Sequence, residues 1–587
     1  MKQFFKFVFA TIVGLALTFV LLIFLLIGIV SVATSDKPVD VPSNSVLRIA
    51  LTMPINERTP DNPLAGLSFL GFDDNKTIGL NDILANIRKA KTDSHIKGIF
   101  LDESYVQSGQ ATTEEVRNAL IDFKKSGKFI VAYSEIYTQS FYYLASVADK
   151  VYMNPKGIFE LHGFSSQVMF YKGALDKLGI DMQIIKVGTY KSAVEPFFLT
   201  KMSDANRLQV NAYLGSMYDH FLTGISQSRH INKDSLANIA NNLLVQNPED
   251  AVKYKLLDGL KYKDELLDEL KQRTGTSKKS NVKSVNIADY TKAGDDKDTS
   301  DNASSRIAIV YASGEISGGE GDDNTIGSEK LSKTLRQVRL DDNVKAVVLR
   351  VNSPGGSSLA SDVIWREVLL TKKVKPVIVS MGDYAASGGY YIACAADSIY
   401  AEPNTVTGSI GIFAMLPNMQ KFFNDKLGLT FDGVKTGKFA DLGDVSRPLT
   451  EEERMILQNQ VNRGYDTFTQ AVADGRHKTQ AYINSIGQGR VWTGSQAIKI
   501  GLVDKLGNIN DAVKSAAKKA NIKTYSIVPY PEQTSKFKNI GKSLSVEVRA
   551  AMVKSELGDN YQYYNQVKQT VQRSGVQMRM PYDVVIK

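Results

Sequence analysis

Two kinds of apolar run punctuate this chain. The first is a single long one: residues 7–33 are uncharged and mostly apolar, held between Lys2 and Lys6 on one side and Asp36 and Lys37 on the other. Such a run is long enough to cross ~30 Å of hydrocarbon and longer than the core of a cleavable signal. It predicts an N-terminal transmembrane helix with its basic flank cytoplasmic and the rest of the chain exported. The second kind is short and recurrent. After a polar spacer, IKGIFL (96–101) reads as a buried strand and TTEEVRNALIDFKKSG (112–127) as an amphipathic helix closed by Gly127. FIVAYS (129–134), the helix-like SFYYLASVAD and the strand-like VYMNP follow. Strand and helix alternating at this spacing predict an α/β unit with a largely parallel sheet.

The same order returns past residue 305, where VKAVVL matches IKGIFL and GYYIACAADSIYAEP matches FYYLASVADKVYMNP. Leu101 pairs with Leu349, Tyr142 with Tyr390 and Pro155 with Pro403, each 248 positions apart. A constant offset across unlike segments predicts an internal duplication, in units too long for a solenoid. The expected organisation is a stub and anchor (1–36), a first repeat (45–273), a polar linker (274–305), a second repeat (306–523) and an extension (524–587). The linker carries one apolar island near Val285. The extension offers a short strand, a helix from about Ser543 and a strand-like VVIK.

Composition narrows the function classes. Hydrophobic residues make up 43% and charged residues 23%, as in ordinary globular proteins, and the net charge of +9 is scattered along the chain, which argues against nucleic-acid binding. There is no HExxH, no CxxC and no histidine pair at helical spacing, so neither metal nor cofactor is expected. One cysteine, Cys394, excludes an intrachain disulfide, and its apolar helical surroundings predict a buried, inert thiol. Export without disulfides points to a bacterial envelope protein.

Chemistry is expected where the copies diverge. Aligned through the shared prolines, Ser409 falls opposite Leu161, and Lys191 in GTYKSAVEP falls opposite Ala440. The loop VNSPGGSS (351–358) has no Pro-Gly-Gly counterpart in the first copy. A composite site follows, with Ser409 as nucleophile from one half and Lys191 as base from the other. A serine hydroxyl needs a base to take its proton. Lysine serves only when neutral, so its pKa must fall from about 10.4 toward ~7–8, which burial achieves. Tyr190, Val194, Phe197 and Phe198 offer apolar walls. Gly355 and Gly356 are the expected oxyanion donors, with an amide just after Ser409 or near Gly411 as partner. Ser387, in AASGGYY, is the rival nucleophile and otherwise reads as a helix cap. A histidine triad is less attractive, because His477 sits in what reads as an exposed turn and the other four histidines lie in the first half.

VNSPGGS, ASGGYYIACAAD, TGSIGIF, GTYKSAVEPF and GRVWTGSQAIKIGLVD together resemble the signal peptide peptidase A (protease IV) family in its long, two-repeat form. The resemblance covers nearly the whole chain, anchor included. It implies a ClpP/crotonase-like fold for each repeat and a membrane-bound serine endopeptidase with a Ser–Lys dyad, Ser409 as nucleophile and Lys191 as general base. It further implies a homotetrameric bowl at the bacterial inner membrane, its body on the periplasmic side, taking extended hydrophobic peptides such as cleaved signal peptides. In the family's short form the lysine lies downstream in the same repeat, a slot that is Ala440 here, and this leaves nearby Lys438 as a competitor. Two other readings stand beside this one. One is a crotonase-like acyl-thioester enzyme, disfavoured by an exported location; the other is a non-catalytic membrane scaffold.

Overall fold

A computed structural model describes the chain except residues 1–2, 5, 16, 19–20, 22–38, 60–76, 103–104, 295–303, 323–324, 533–575 and 581–587. Its first half is built on a six-stranded sheet. Across that sheet run Gly259–Leu260, Lys150–Phe159, Phe129–Tyr137, Ile96–Asp102, Ser45–Ile49 and Ser284–Asn286, all parallel. Parallel strands need crossovers, and helices such as Leu80–Thr92 and Gln110–Lys124 supply them. Their apolar faces cover the sheet, so its central strands are buried on both sides and read as continuous apolar runs.

The second half repeats the plan on an eight-stranded sheet whose spine is Ser526–Tyr530, Arg306–Ser313, Val344–Ser353, Val377–Ala386 and Val406–Gly408. The duplication extends to side-chain bonds. Tyr142 Oη donates to Leu256 O and Tyr390 Oη to Leu502 O, both at 2.8 Å. Lys128 donates to the carbonyls of Ala90 and Asp93, and Lys375 to those of Val338 and Asp341, a spacing of 248 between the paired acceptors. Two 26-residue helices, Asp204–Arg229 and Glu451–Arg476, end on the left-handed residues His230 and His477. His477 is thus an exposed helix terminus, remote from any nucleophile's needs.

A third, seven-stranded sheet joins the halves. In order it runs Gly321–Asp322, Thr325–Gly327, Glu315–Ser317, Gly355–Ser357, Val576–Arg579, Ile412–Asn418 and Asp181–Val187. Only the last strand comes from the first half.

The island at Ser284–Asn286 and Ile287–Tyr290 packs Val285, Ile287 and Tyr290 into the first core, so part of the expected linker belongs to the first sheet. The anchor at 7–33 and the helix from Ser543 lie largely outside the described residues, as does VVIK; among the described residues no helix is long and apolar enough to cross a membrane. The extension nevertheless contributes a strand, Val576–Arg579, where none was expected.

Candidate active site

The seam between the halves decides what meets what. Asp181–Val187 runs antiparallel to Ile412–Asn418, with Val187 opposite Ile412 and Asp181 opposite Asn418. In an antiparallel pair one strand leaves where the other begins. The chain leaving Val187 therefore heads toward the residues just before Ile412. Four residues on lies Lys191; three residues before lies Ser409. Pairing then tightens the loop: Tyr190 N–H donates to Gln488 O at 2.8 Å, and Gly489 N–H to Ile410 O at 2.7 Å. Gly489 has φ +78, and a Cβ there would come within 2.7 Å of the Lys191 backbone, so the loop around Gln488 presses directly on the lysine. Gly411 also serves the lysine: a Cβ there would meet Lys191 Cδ at 3.1 Å.

Lys191 is fully buried. Its Nζ lies 2.8 Å from Ser387 Oγ, 3.1 Å from Ser409 Oγ and 3.0 Å from the Ser409 carbonyl oxygen. No carboxylate is among these partners. Burial alone pushes the amine well below the ordinary lysine range, the condition a lysine base requires. Of the apolar walls expected, Val194 and Phe198 join Phe413 in one cluster, whereas Phe197 stacks on Tyr171.

Both serines thus reach one amine, and both are fully buried. Three features separate them. Ser387 ends the strand Val377–Ala386 and precedes the helix Gly388–Ala393 with φ 56 and ψ −115, a costly conformation for a residue bearing a Cβ. Its hydroxyl makes no cap bond, so the helix-cap reading of this serine is corrected. Second, the amide after it begins a helix, where N–H groups lack intrahelical partners, and Gly355 packs so closely that a Cβ there would lie 2.8 Å from Gly388 N. Third, the amine meets Ser409 through the carbonyl oxygen as well as the hydroxyl, at 3.0 and 3.1 Å, whereas it meets Ser387 through the hydroxyl alone, at 2.8 Å. Ser409 also has a positive φ, 50. The geometry weighs toward Ser387 as the attacking hydroxyl, with Ser409 holding the amine, which reverses the order expected from sequence.

The sequence carries a signal for this in the comparison of the two copies. The 248-residue offset sets Gln139 opposite Ser387, so the first copy lacks this hydroxyl as well. There Gln139 Oε1 accepts the backbone N–H groups of His162 and Gly163, filling the slot with a structural clamp.

The remaining candidates fall into place. Gly355, with φ +99, and Gly356 border Ser387 as a short strand. Gly355 N–H is directed at Ser353 Oγ, 3.2 Å away. Lys438 is 69% exposed and pairs with Glu452, which removes it as a competitor for the base. Cys394 is buried and its thiol is pushed up to about 12 by burial, too high to form a thiolate. Among the described residues no three His, Cys, Asp or Glu side chains are grouped to hold a metal.

Known proteins share this chain's pattern. The model of peptidase family S49 matches twice, at residues 122–277 and 370–523, once in each half. Protease 4 of Salmonella typhi is 38% identical over 81% of this chain and 77% of its own length. Protease 4 of Haemophilus influenzae is 37% identical over 76% and 74%, and the chloroplastic serine protease SPPA of Arabidopsis thaliana 35% over 76% and 67%. Among solved structures, a ClpP1 variant from Listeria monocytogenes aligns over 94% of its length and 35% of this chain, at 18% identity and a TM-score of 0.24.

Proposed function

The chain belongs to peptidase family S49 and is a serine endopeptidase, and from that premise we propose that it cleaves peptide bonds with a Ser387–Lys191 dyad completed by Ser409. The observation that carries this reading is a fully buried lysine amine 2.8 Å from Ser387 Oγ, with no carboxylate to keep it charged. A neutral amine has two N–H groups and one lone pair. The Ser409 carbonyl can only accept, so it takes one N–H; Ser409 Oγ takes the other. The lone pair is left for the Ser387 hydroxyl. Lys191 removes that proton as Oγ bonds to the substrate carbonyl carbon. The oxyanion is met by Gly388 N–H and, once it turns from Ser353 Oγ, by Gly355 N–H of the glycine loop. The lysine ammonium then gives its proton to the leaving amine as the C–N bond breaks, and the regenerated amine activates water to release the acyl group.

Substrate and setting belong to the same proposal. An apolar, closed site suits extended hydrophobic peptides, and cleaved signal peptides are the ones available beside an anchor at 7–33. The anchor sets the body on the periplasmic side of a bacterial inner membrane. Each repeat is read as ClpP/crotonase-like, and the assembly as a homotetramer. The dyad itself is complete within one chain.

A fluorophosphonate probe followed by peptide mapping tests the assignment. The expected adduct is on Ser387. An adduct on Ser409 exchanges the two roles, and a folded protein that takes no adduct at either serine, full-length or ending at residue 575, overturns the dyad.

A further inference from the structure

The strand Val576–Arg579 lies where a substrate peptide would have to lie. On one side it pairs antiparallel with the glycine loop, with Gly355 opposite Arg579, Gly356 opposite Met578 and Ser357 opposite Gln577. On the other it pairs antiparallel with the strand that follows Ser409, with Phe413 opposite Gln577 and Ala414 opposite Val576. Met580 N–H extends the first ladder to Pro354 O at 2.8 Å. Pairing on both edges is how a protein grips an extended peptide largely without reading its side chains. The Met578 carbonyl is the informative group. A Cβ at Gly355 would collide with its oxygen, and one at Gly388 would come within 3.1 Å of it. This carbonyl therefore rests against the glycine loop and the residue directly after Ser387, the place an oxyanion would occupy.

Side chains fix the segment from both faces. Met578 is buried in the second core, and Met580 packs with Val210, Tyr213 and Met217 of the long first-half helix. Unbranched thioethers fill such irregular grooves well. Between them Arg579 forms a mostly buried ion pair with Glu315. With the strand in place, Ser387, Ser409 and Lys191 are all shut from solvent.

We infer that residues 576–580 are a built-in pseudo-substrate: they occupy the peptide groove, compete with extended apolar peptides for it, and are tied down by Arg579 on Glu315. The inference rests on the reading of Ser387 as the nucleophile that borders this groove. A tethered competitor acts at an effective concentration of roughly millimolar, so its removal is read as a change in KM rather than kcat.

The experiment separates this inference from the dyad. Occupancy is measured without chemistry, in Ser387→Ala protein of verified intact mass, by anisotropy of a labelled peptide of residues 574–582 (SGVQMRMPY). The peptide is expected to bind Ser387→Ala protein ending at residue 575 on the order of tenfold more tightly than the full-length form. In full-length Ser387→Ala protein, Arg579→Glu is expected to open the groove in the same direction, and Glu315→Arg added to it to close the groove again. This full-length pair also serves if the shortened chain does not fold. In chains that keep Ser387, truncation lowers KM for a hydrophobic reporter by a similar factor with kcat little changed. Equal peptide affinity with and without the segment, together with no effect of Arg579→Glu, overturns the inference even where fluorophosphonate labels Ser387 normally.

Discussion

Burying a lysine amine without a carboxylate supplies the base that the rate needs and costs the fold stability. For rate, only the neutral form accepts the Ser387 proton, so kcat/KM should rise with pH on a limb centred well below the ordinary lysine pKa. Activity measured from pH 5 to 10 checks this; a limb near 10.4 would mean the amine is solvated. For stability, the folded pKa lies below the unfolded one, so the unfolded chain binds more protons and stability climbs as pH rises between the two values. Lys191→Met should therefore be inactive but more resistant to heat at pH 7, by about 1–2 kcal/mol, with the advantage shrinking toward pH 10. The two serines separate by magnitude. Ser387→Ala should lower kcat by roughly 10⁴-fold or more, whereas Ser409→Ala, losing one bond to the amine, should cost about 10- to 100-fold. Steady-state kinetics on the two variants decides between them. Lys191 was legible from sequence because its partner in the other repeat is an alanine. Ser387 was legible by the same comparison, opposite Gln139, but its place before a helix offered a duller explanation that only the missing cap bond and the backbone angles remove.

Elements carry the lysine to its place. Short apolar runs such as IKGIFL and FIVAYS in the first half and VKAVVL in the second announce strands through their continuity, which is why the α/β class and the repeat could be read. Periodicity does not say which strand pairs with which. The ladder between Asp181–Val187 and Ile412–Asn418 joins residues more than 200 apart, and neither run alternates strongly enough to predict its partner. The strand Val576–Arg579 was hidden for a related reason. VQMR has mixed polarity, and its stability comes from two neighbouring edges rather than from its own sequence. One residue tests how tightly these elements are fitted. Gly489→Ala puts a methyl group within 2.7 Å of the Lys191 backbone at a φ of +78. Displacing the amine by about 1 Å should lower kcat/KM on the order of 100-fold while the protein still folds. Gly437→Ala, at an exposed position with open space around it, is the matched control and should leave activity unchanged. Kinetics and thermal melts on the pair make the comparison.

At the scale of the whole molecule, one feature holds the halves together and another bears on the proposed assembly. Inside, Arg350 of the second half is fully buried and pairs with Glu57 at 2.8 Å and Glu115 at 2.5 Å, both from the first half. Removing the cation strands two buried carboxylates, so Arg350→Ala should cost about 3–5 kcal/mol and loosen the seam that delivers Lys191. Calorimetry should then resolve two transitions where the parent shows one. Outside, the segment between Leu427 and Leu442 gathers several exposed apolar side chains within one short stretch. Leu427, Leu429 and Phe431 are at least half exposed, Phe439 and Leu442 are exposed as well, and Val434 is 103% exposed. This stretch falls where the second copy holds Ala440 instead of the lysine, so it is free of catalytic duty. Contiguous apolar side chains in water mark an association surface, and a stable one needs roughly 1,000 Å² or more buried between partners. A second copy of the chain is the partner that the proposed tetramer supplies. Phe431→Glu with Val434→Glu should therefore lower the mass seen by sedimentation, while fluorophosphonate still labels Ser387, because amine and hydroxyl meet within one chain. A parent protein that sediments as a monomer, or a variant whose mass does not change, would remove this segment from the assembly.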